Sequence, residues 1–172
     1  MTAIRCCALV SRFADLRVAE SAAVLAEHLG RRGLEVIALA EEASRLPGIG
    51  AQFVSEQELG ERAQLVIAIG GDGTLLYAAR LVAGRSTPLL GVNRGRLGFL
   101  TDVMPEDMLS SVDAALEGQC QRDERPLLIS ELVGQGGEKL AGLALNDIVL
   151  QTHRSGDRKS TRLNSSHVSE SR

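Results

Sequence analysis

A glycine-rich pentapeptide with one acid is the stretch of this sequence best suited to chemistry. Gly70, Gly71, Asp72, Gly73 and Thr74 follow the apolar run 65–69 and precede an apolar, alanine-containing stretch. This pattern predicts a buried strand, a tight turn and a helix start. Glycines let the backbone approach a ligand closely, and the amides that open a helix bind phosphate oxygens. A carboxylate beside bound phosphates could accept a proton from a hydroxyl nucleophile or orient a magnesium ion.

The residues of this turn alone leave two interpretations open. It is either a phosphate-binding loop or a plain connection between a strand and a helix. The sequence contains neither the G-x-x-x-x-G-K-[ST] motif of P-loop proteins nor the G-x-G-x-x-G dinucleotide motif. The segment 93–100, with two arginines and two glycines, is similarly either an exposed basic loop or a loop that faces a nucleotide.

Three stretches together resemble a known family. Residues 70–74 resemble the GGDGT signature shared by NAD kinases and by diacylglycerol and sphingosine kinases, with a close variant in phosphofructokinases. Residues 91–102 (GVNRGRLGFLTD) and 144–150 (ALNDIVL) narrow the resemblance to bacterial NAD kinases. The resemblance extends from the N-terminus to about residue 153.

The resemblance assigns roles to individual residues. It implies that Asp72 accepts the proton of the adenosine 2′-hydroxyl of NAD, with Gly73 against the same nucleotide. It implies that Phe99 lines the adenosine pocket and that the Asn146 and Asp147 pair binds the NAD ribose. Many relatives have Glu at the second position of this pair, and we expect the shorter Asp147 to be tolerated. The phosphate-binding loop would consist of Gly70, Gly71, Gly73 and Thr74. Within the segment 93–100, the resemblance does not single out Arg94 or Arg96.

The hydrophobic pattern predicts an α/β domain over residues 1–100 with an open, mostly parallel sheet. We expect the first helix, residues 16–32, to end at Gly33 in the C′ position. For Arg80 we favour a solvent contact over a phosphate contact. The predicted strands are 4–10, 34–39, 65–70 and 88–92, and the predicted helices are 16–32, 56–61, 74–82 and 105–116.

Residues 101–154 are expected to begin a second, all-β domain of an antiparallel, sandwich-like kind. Two strand-like stretches, 121–133 and 139–150, are separated by a glycine-rich turn. Asn146 and Asp147 would lie inside the second strand, where such residues are disfavoured unless they bind something. One third of residues 155–172 are serine, so we expect this tail to be disordered and foreign to the protein.

The composition is ordinary for a soluble globular protein, and the cysteines lead us to expect a cytosolic one. Of its 172 residues, 44% are apolar, 24% are charged and 2% are aromatic, and the net charge is −3. A nucleic-acid binder usually carries a basic face and stacking aromatics, so that class is not expected. Neither a signal peptide nor a membrane span is expected. Cys6, Cys7 and Cys120 show no metal-ligand spacing and are expected to be reduced, mostly buried thiols.

The resemblance implies a NAD kinase, which transfers the γ-phosphoryl group of ATP to NAD to give NADP. ATP would carry Mg²⁺ or another divalent cation, and the full-length protein would be a homo-oligomer. We expect the 172-residue chain to be C-terminally truncated and impaired. Two alternatives stay open at this point: a lipid kinase of the diacylglycerol type, and a nucleotide-binding sensor without chemistry.

Overall fold

A computed structural model describes residues 3–12, 15–94, 98–133, 136–145, 147–151 and 160–164. The chain divides into two compact units, Met1–Gln121 and Arg122–Arg172. This division lies later in the chain than the boundary that we predicted after residue 100. The difference arises because Met108 and Val112, on the helix after Pro105, pack into the core of the first unit.

The first unit alternates strands and helices, as the hydrophobic pattern predicts. A 3₁₀ segment follows the second strand, and another precedes the fourth helix. In chain order the elements are β1 (Cys6–Val10), α1 (Leu16–Arg31), β2 (Glu35–Leu39), β3 (Gln52–Val54), α2 (Glu56–Arg62), β4 (Leu65–Gly70), α3 (Asp72–Leu81), β5 (Leu89–Asn93) and α4 (Met108–Leu116).

All five strands of this unit form one parallel sheet in the order β3-β2-β1-β4-β5. The predicted open parallel sheet is therefore confirmed. From β1 the chain adds strands first on one side, with β2 and β3, and then on the other, with β4 and β5. The order of the strands thus reverses between β1 and β4, and open α/β sheets bind ligands outside the carboxyl ends of the strands at such a point.

Helices cover both faces of the sheet and bury its alternating side chains. The face that includes Leu9 and Ile67 packs against α1 and α4, and the face that includes Val10 and Val66 packs against α2 and α3. Because both faces are covered, the strands read as continuous apolar runs rather than as an alternation. The largest fully buried side chains are Leu9, Leu25, Leu29, Ile37, Leu46, Leu59, Leu65, Ile67, Ile69, Val10, Val66 and Val92.

The ends of α1 follow from its sequence. The Asp15 carboxylate accepts a hydrogen bond from the Arg17 amide at 2.9 Å, which caps the first turn. At the other end Gly33 has φ 74°, and the Leu34 amide donates to the Leu29 carbonyl at 3.1 Å. This pattern is a Schellman motif with glycine at C′, so the predicted role of Gly33 is confirmed.

Three details of this unit differ from the prediction. The strand β3 was missed because three residues are too short to show an alternation. The helix α3 begins at Asp72 rather than near residue 74, so the acid belongs to the first turn of the helix. Residues 105–116 form a 3₁₀ turn (Pro105–Asp107) followed by α4, rather than one continuous helix.

The second unit contains two antiparallel strand pairs, β6 (Leu128–Val133) with β7 (Lys139–Ala144) and β8 (Asp147–Gln151) with β9 (Ser160–Asn164). The predicted change from α/β to antiparallel β is confirmed. The predicted strand 139–150 is interrupted between β7 and β8, so Asp147 opens a strand rather than lying inside one. Of the tail 155–172, only β9 lies within the described residues, so the expectation that the tail is disordered and foreign stays a prediction.

The cysteines differ from one another in exposure. Cys6 and Cys7 are buried in β1, as predicted, and Cys120 is exposed. Burial raises the pKa of Cys6 to about 11 and that of Cys7 to about 12, so both thiols remain protonated at neutral pH. In the described part of the chain, no helix has the length and apolar character needed to cross a membrane.

Candidate functional site

The turn between β4 and α3 brings the glycine-rich pentapeptide to the carboxyl edge of the sheet. Gly70 ends the strand with φ 158°, and a methyl group at this position would overlap the Thr74 side chain. Gly71 is the N-cap residue of α3 in extended conformation. The turn therefore requires glycine at position 70 for its own packing.

The other two glycines of the turn are not required by packing. Apart from the adjacent residues and the backbone of α3 itself, a Cβ atom at Gly71 or at Gly73 would meet no described heavy atom within 4 Å. The open space lies beside the first turn of α3, where unpaired amides give the helix end a partial positive charge. This combination suits the close approach of an anionic ligand such as a phosphate.

Asp72 accepts hydrogen bonds from a distant part of the chain. Its Oδ2 atom accepts from the Phe99 amide at 2.9 Å. Its Oδ1 atom accepts from the Leu100 amide at 3.0 Å, the Thr101 amide at 3.2 Å and the Thr101 hydroxyl at 3.4 Å. One carboxylate thus fastens the second motif of the sequence to the first, and it leaves no room for a Cβ atom at Gly98.

These hydrogen bonds set the charge state of Asp72. The Phe99 amide is the largest cause that lowers the pKa of this carboxyl group, and the Leu100 and Thr101 amides and the Thr101 hydroxyl add to it. Partial burial acts in the opposite direction and is outweighed. Asp72 is therefore a carboxylate at neutral pH and a weak base.

The segment that donates to Asp72 is itself held against the edge strand β5. The Asn93 amide donates to the Val103 carbonyl at 2.8 Å, and the Val103 amide donates to the Gly91 carbonyl at 3.3 Å. Val92 and Val103 thereby form a parallel bridge. The hydrogen bonds between Val103 and β5 therefore hold the residues 99–101 in place, and these residues donate to Asp72.

A cleft of about 480 Å³ opens at the point where the strand order reverses. It lies beside the residues after β1 and the first turns of α3, within the first unit. None of the ion pairs between described residues includes Arg12 or Arg80. The cleft is lined by Ser11, Arg12, Gly71, Gly73, Thr74, Leu76, Tyr77 and Arg80.

The two arginines of the cleft were absent from the predicted site. Arg80 is exposed, as favoured, but its position in the cleft also allows it to contact an anion. Arg12 could have been found from its position two residues after β1, since the carboxyl ends of parallel strands meet at one edge. Arg94 has a structural contact, because its Nε atom donates to the buried Ser21 hydroxyl at 2.5 Å.

The remaining predicted residues are placed separately. Phe99 is 98% exposed, so its ring is free to cover a ligand, although its amide is bound to Asp72. Asp147 begins β8 in the second unit, and Asn146 lies outside the described residues. Among the described residues there is no group of three or more Asp, Glu, His or Cys side chains that could hold a metal ion.

The glycines of the turn give a prediction about stability. Gly70→Ala should lower the free energy of unfolding by about 1–3 kcal/mol, because the new methyl group overlaps Thr74 at a positive φ. Gly73→Ala is the matched control, since its methyl group points into open space. Urea unfolding at neutral pH measures both. Equal losses for the two variants would contradict the packing role of Gly70.

The lowered pKa of Asp72 gives a prediction about pH. The unfolded chain, with an ordinary aspartate pKa of about 3.9, binds a proton before the folded chain does. The stabilisation from Asp72 is therefore complete above about pH 5 and is lost as the pH falls through the folded pKa. Urea unfolding of wild type and Asp72→Asn should differ most above pH 5 and converge in acid.

An exposed acid provides the control for this pH series. The Asp123 carboxylate is paired only with the neighbouring Arg125 at 2.8 Å among the described residues, so Asp123→Asn should change stability little at any pH. A difference between wild type and Asp72→Asn that stays constant from neutral pH to acid would contradict the linkage to this carboxylate.

Comparison with known proteins shows which family this chain resembles. The model of the ATP-NAD kinase N-terminal domain matches residues 9–120. NAD kinase from Acinetobacter baylyi is 43% identical over 147 residues, which are 86% of this chain and 48% of that protein. NAD kinase from Azoarcus sp. is 43% identical over 148 residues, 85% of this chain and 50% of that protein. The chain thus spans about half the length of these curated relatives.

Solved structures share the fold. Yeast NADH kinase complexed with NADH has a TM-score of 0.79 and 18% identity, over 95% of this chain and 56% of that chain. An NAD kinase from Archaeoglobus fulgidus in complex with ATP has a TM-score of 0.56 and 24% identity, over 89% of this chain and 50% of that chain. With the family match over residues 9–120 and the glycine-acid turn at the carboxyl edge of the sheet, the chain belongs to the ATP-NAD kinase family.

Proposed function

We propose that the protein to which this chain belongs transfers the γ-phosphoryl group of ATP to the adenosine 2′-hydroxyl of NAD, giving NADP and ADP. The observation that carries the proposal is the position of Asp72. Its carboxylate lies in the first turn of α3, on the same turn that lines a cleft with two arginines and two unobstructed glycines. An acid beside an anion site is the arrangement that phosphoryl transfer to an alcohol requires.

The phosphate chain of ATP occupies the cleft at the end of β1 and β4 in this proposal. The amides of the first turn of α3 and the loop residues Gly71, Gly73 and Thr74 contact the phosphates. Arg12 and Arg80 neutralise the charge that spreads over the phosphoryl oxygens during transfer. The cleft volume of about 480 Å³ leaves room for several phosphate groups.

Asp72 receives the hydroxyl proton in this proposal. The 2′-oxygen forms a bond to the γ-phosphorus, the bond from phosphorus to the ADP oxygen breaks, and the hydroxyl proton passes to the carboxylate. The low basicity of Asp72 suits a loose transition state, in which the attacking oxygen keeps its proton until late. Before transfer, Asp72 also orients the hydroxyl by accepting a hydrogen bond from it.

The proposed contacts to the acceptor NAD follow the family resemblance. The exposed ring of Phe99 covers the adenosine, and its amide remains on Asp72. Asn146 and Asp147 bind the NAD ribose, as the family resemblance implies. On the same basis we expect a homo-oligomer. We also expect a cytoplasmic protein, because Cys6 and Cys7 are buried free thiols.

The divalent cation belongs to ATP in this proposal rather than to a protein cage. Mg²⁺ is usually held by one or two carboxylates together with substrate phosphates. Among the described residues, the Asp72 carboxylate in the first turn of α3 could supply one such oxygen ligand. When bound, the cation neutralises charge on the phosphates, while the protein residues orient the two substrates.

The chain spans about half the length of its curated relatives. We propose that the 172-residue chain by itself forms little or no NADP. The decisive protein is therefore the complete product of the source gene, which also shows whether residues 155–172 are foreign.

The proposal predicts the behaviour of the complete gene product and its variants. It should form NADP from ATP and NAD. Asp72→Asn should lower kcat by roughly 10²- to 10⁴-fold while the KM for ATP changes little, because an amide cannot accept the proton. Asp123→Asn, an exposed acid of the second unit, is the control and should keep full activity.

Three measured outcomes separate the proposal from its alternatives. Phosphorylation of diacylglycerol in vesicles but not of NAD would indicate a lipid kinase. Tight ATP binding without any phosphorylated product would indicate a sensor. Full NADP formation by Asp72→Asn would contradict the role given to Asp72. Cooperative unfolding of each variant, followed by circular dichroism, ensures that lost activity is not lost folding.

A further inference from the structure

Thr101 is a buried residue in direct contact with Asp72 and outside the cleft. Its side chain is fully inaccessible to solvent. Both of its donors point to one atom, because the amide and the hydroxyl donate to Oδ1 of Asp72 at 3.2 and 3.4 Å. The methyl side of Thr101 packs on Gly91 of β5, where an added Cβ atom would lie 2.9 Å from Cγ2. The side chain is therefore fixed between the edge strand and the acid.

The donors are distributed unequally between the two carboxylate oxygens. Oδ1 accepts three hydrogen bonds, two of them from Thr101, whereas Oδ2 accepts one from the described residues, from the Phe99 amide. A carboxylate has about four lone-pair positions, two on each oxygen. The three donors on Oδ1 already exceed its two lone-pair positions, so this atom has no place for a substrate. Oδ2 keeps one position for a further donor.

We propose that Thr101 is a positioning residue, which occupies Oδ1 of Asp72 so that Oδ2 faces the acceptor hydroxyl. This inference rests on the proposed transfer to NAD. Without the Thr101 hydroxyl, Oδ1 keeps only the Leu100 and Thr101 amides as donors, so the plane of the carboxylate is held less firmly.

Gly91 of β5 helps to fix the position of Thr101. Its missing side chain allows Thr101 to approach β5, and a Cβ atom there would also lie 3.3 Å from the Thr101 Cα atom. The register of the sheet places Gly91 opposite Ala68, two residues before the turn that carries Asp72. The edge strand thus sets the position of Thr101, and Thr101 sets the position of the acid.

The test compares three variants in the complete gene product and in the 172-residue chain. Thr101→Val keeps the shape and removes the hydroxyl, and Thr101→Ser keeps the hydroxyl. Thr87→Val is the matched control, because the Thr87 hydroxyl also makes a 3.4 Å hydrogen bond, to the Ala63 carbonyl. The measurements are the pKa of Asp72 by carboxyl ¹³C NMR, the kinetics of NADP formation, and urea unfolding.

Thr101→Val should raise the pKa of Asp72 toward the ordinary value of about 3.9, since a methyl group replaces a donor. It should lower kcat on the order of tenfold with the KM for ATP unchanged, because Thr101 does not line the cleft. Thr101→Ser should restore both values, and Thr87→Val should alter neither.

Two results would overturn the inference. One is an unchanged Asp72 pKa with unchanged kcat in Thr101→Val. The other is a loss of activity that follows only the loss of stability, with an unchanged pKa. The proposed function fails separately, if the wild-type gene product forms no NADP. That result would remove the role in transfer, whereas the NMR comparison would still show whether Thr101 acts on Asp72.

Discussion

The hydrogen bonds accepted by Asp72 are the interaction on which the rest of the site depends. They connect the first turn of α3 with a segment 27–29 residues later in the chain. Each bond joins a backbone or hydroxyl donor to a charge, and such bonds are roughly twice as strong as those between neutral groups. Asp72 therefore has a structural role besides its proposed chemical one, because it determines where Phe99 and Thr101 lie.

This double role explains the electrostatic character of the site. A carboxylate surrounded by donors is held in its charged form and is a weak base, and the cleft beside it is lined by two arginines. The strand order places Arg12 and Asp72 at the same edge of the sheet. Arg12 follows β1 and Asp72 follows β4, and the strand order reverses between these two neighbouring strands. In the proposed function such a site would orient and neutralise charged substrates, which is the main requirement of phosphoryl transfer.

Much of the fold could be predicted because local patterns were strong. The apolar run 65–69 before two glycines predicted β4 and its turn, and Gly33 predicted the end of α1. The three-residue strand β3 and the break before Asp147 could not be predicted, since neither changes the hydrophobic pattern enough. The first unit extends past the predicted boundary, because α4 packs into the same core as α1, and this tertiary contact leaves no local signal.

The site shows the same division. Asp72 and the glycines were recognisable as a motif, but the partners of Asp72 were not, because contacts across 27–29 residues leave no local signal. The sequence also gave no means to separate the three glycines. The structure distinguishes Gly70, which the turn requires, from Gly71 and Gly73, which border open space.

Amide hydrogen exchange is the measurement that tests most directly whether one carboxylate holds the two motifs together. If it does, the amides of Phe99, Leu100 and Thr101 are protected in the wild-type chain and exchange roughly tenfold faster or more in Asp72→Asn. The amides of β4 should exchange equally slowly in both proteins. Unchanged protection of the three amides in Asp72→Asn would contradict the account.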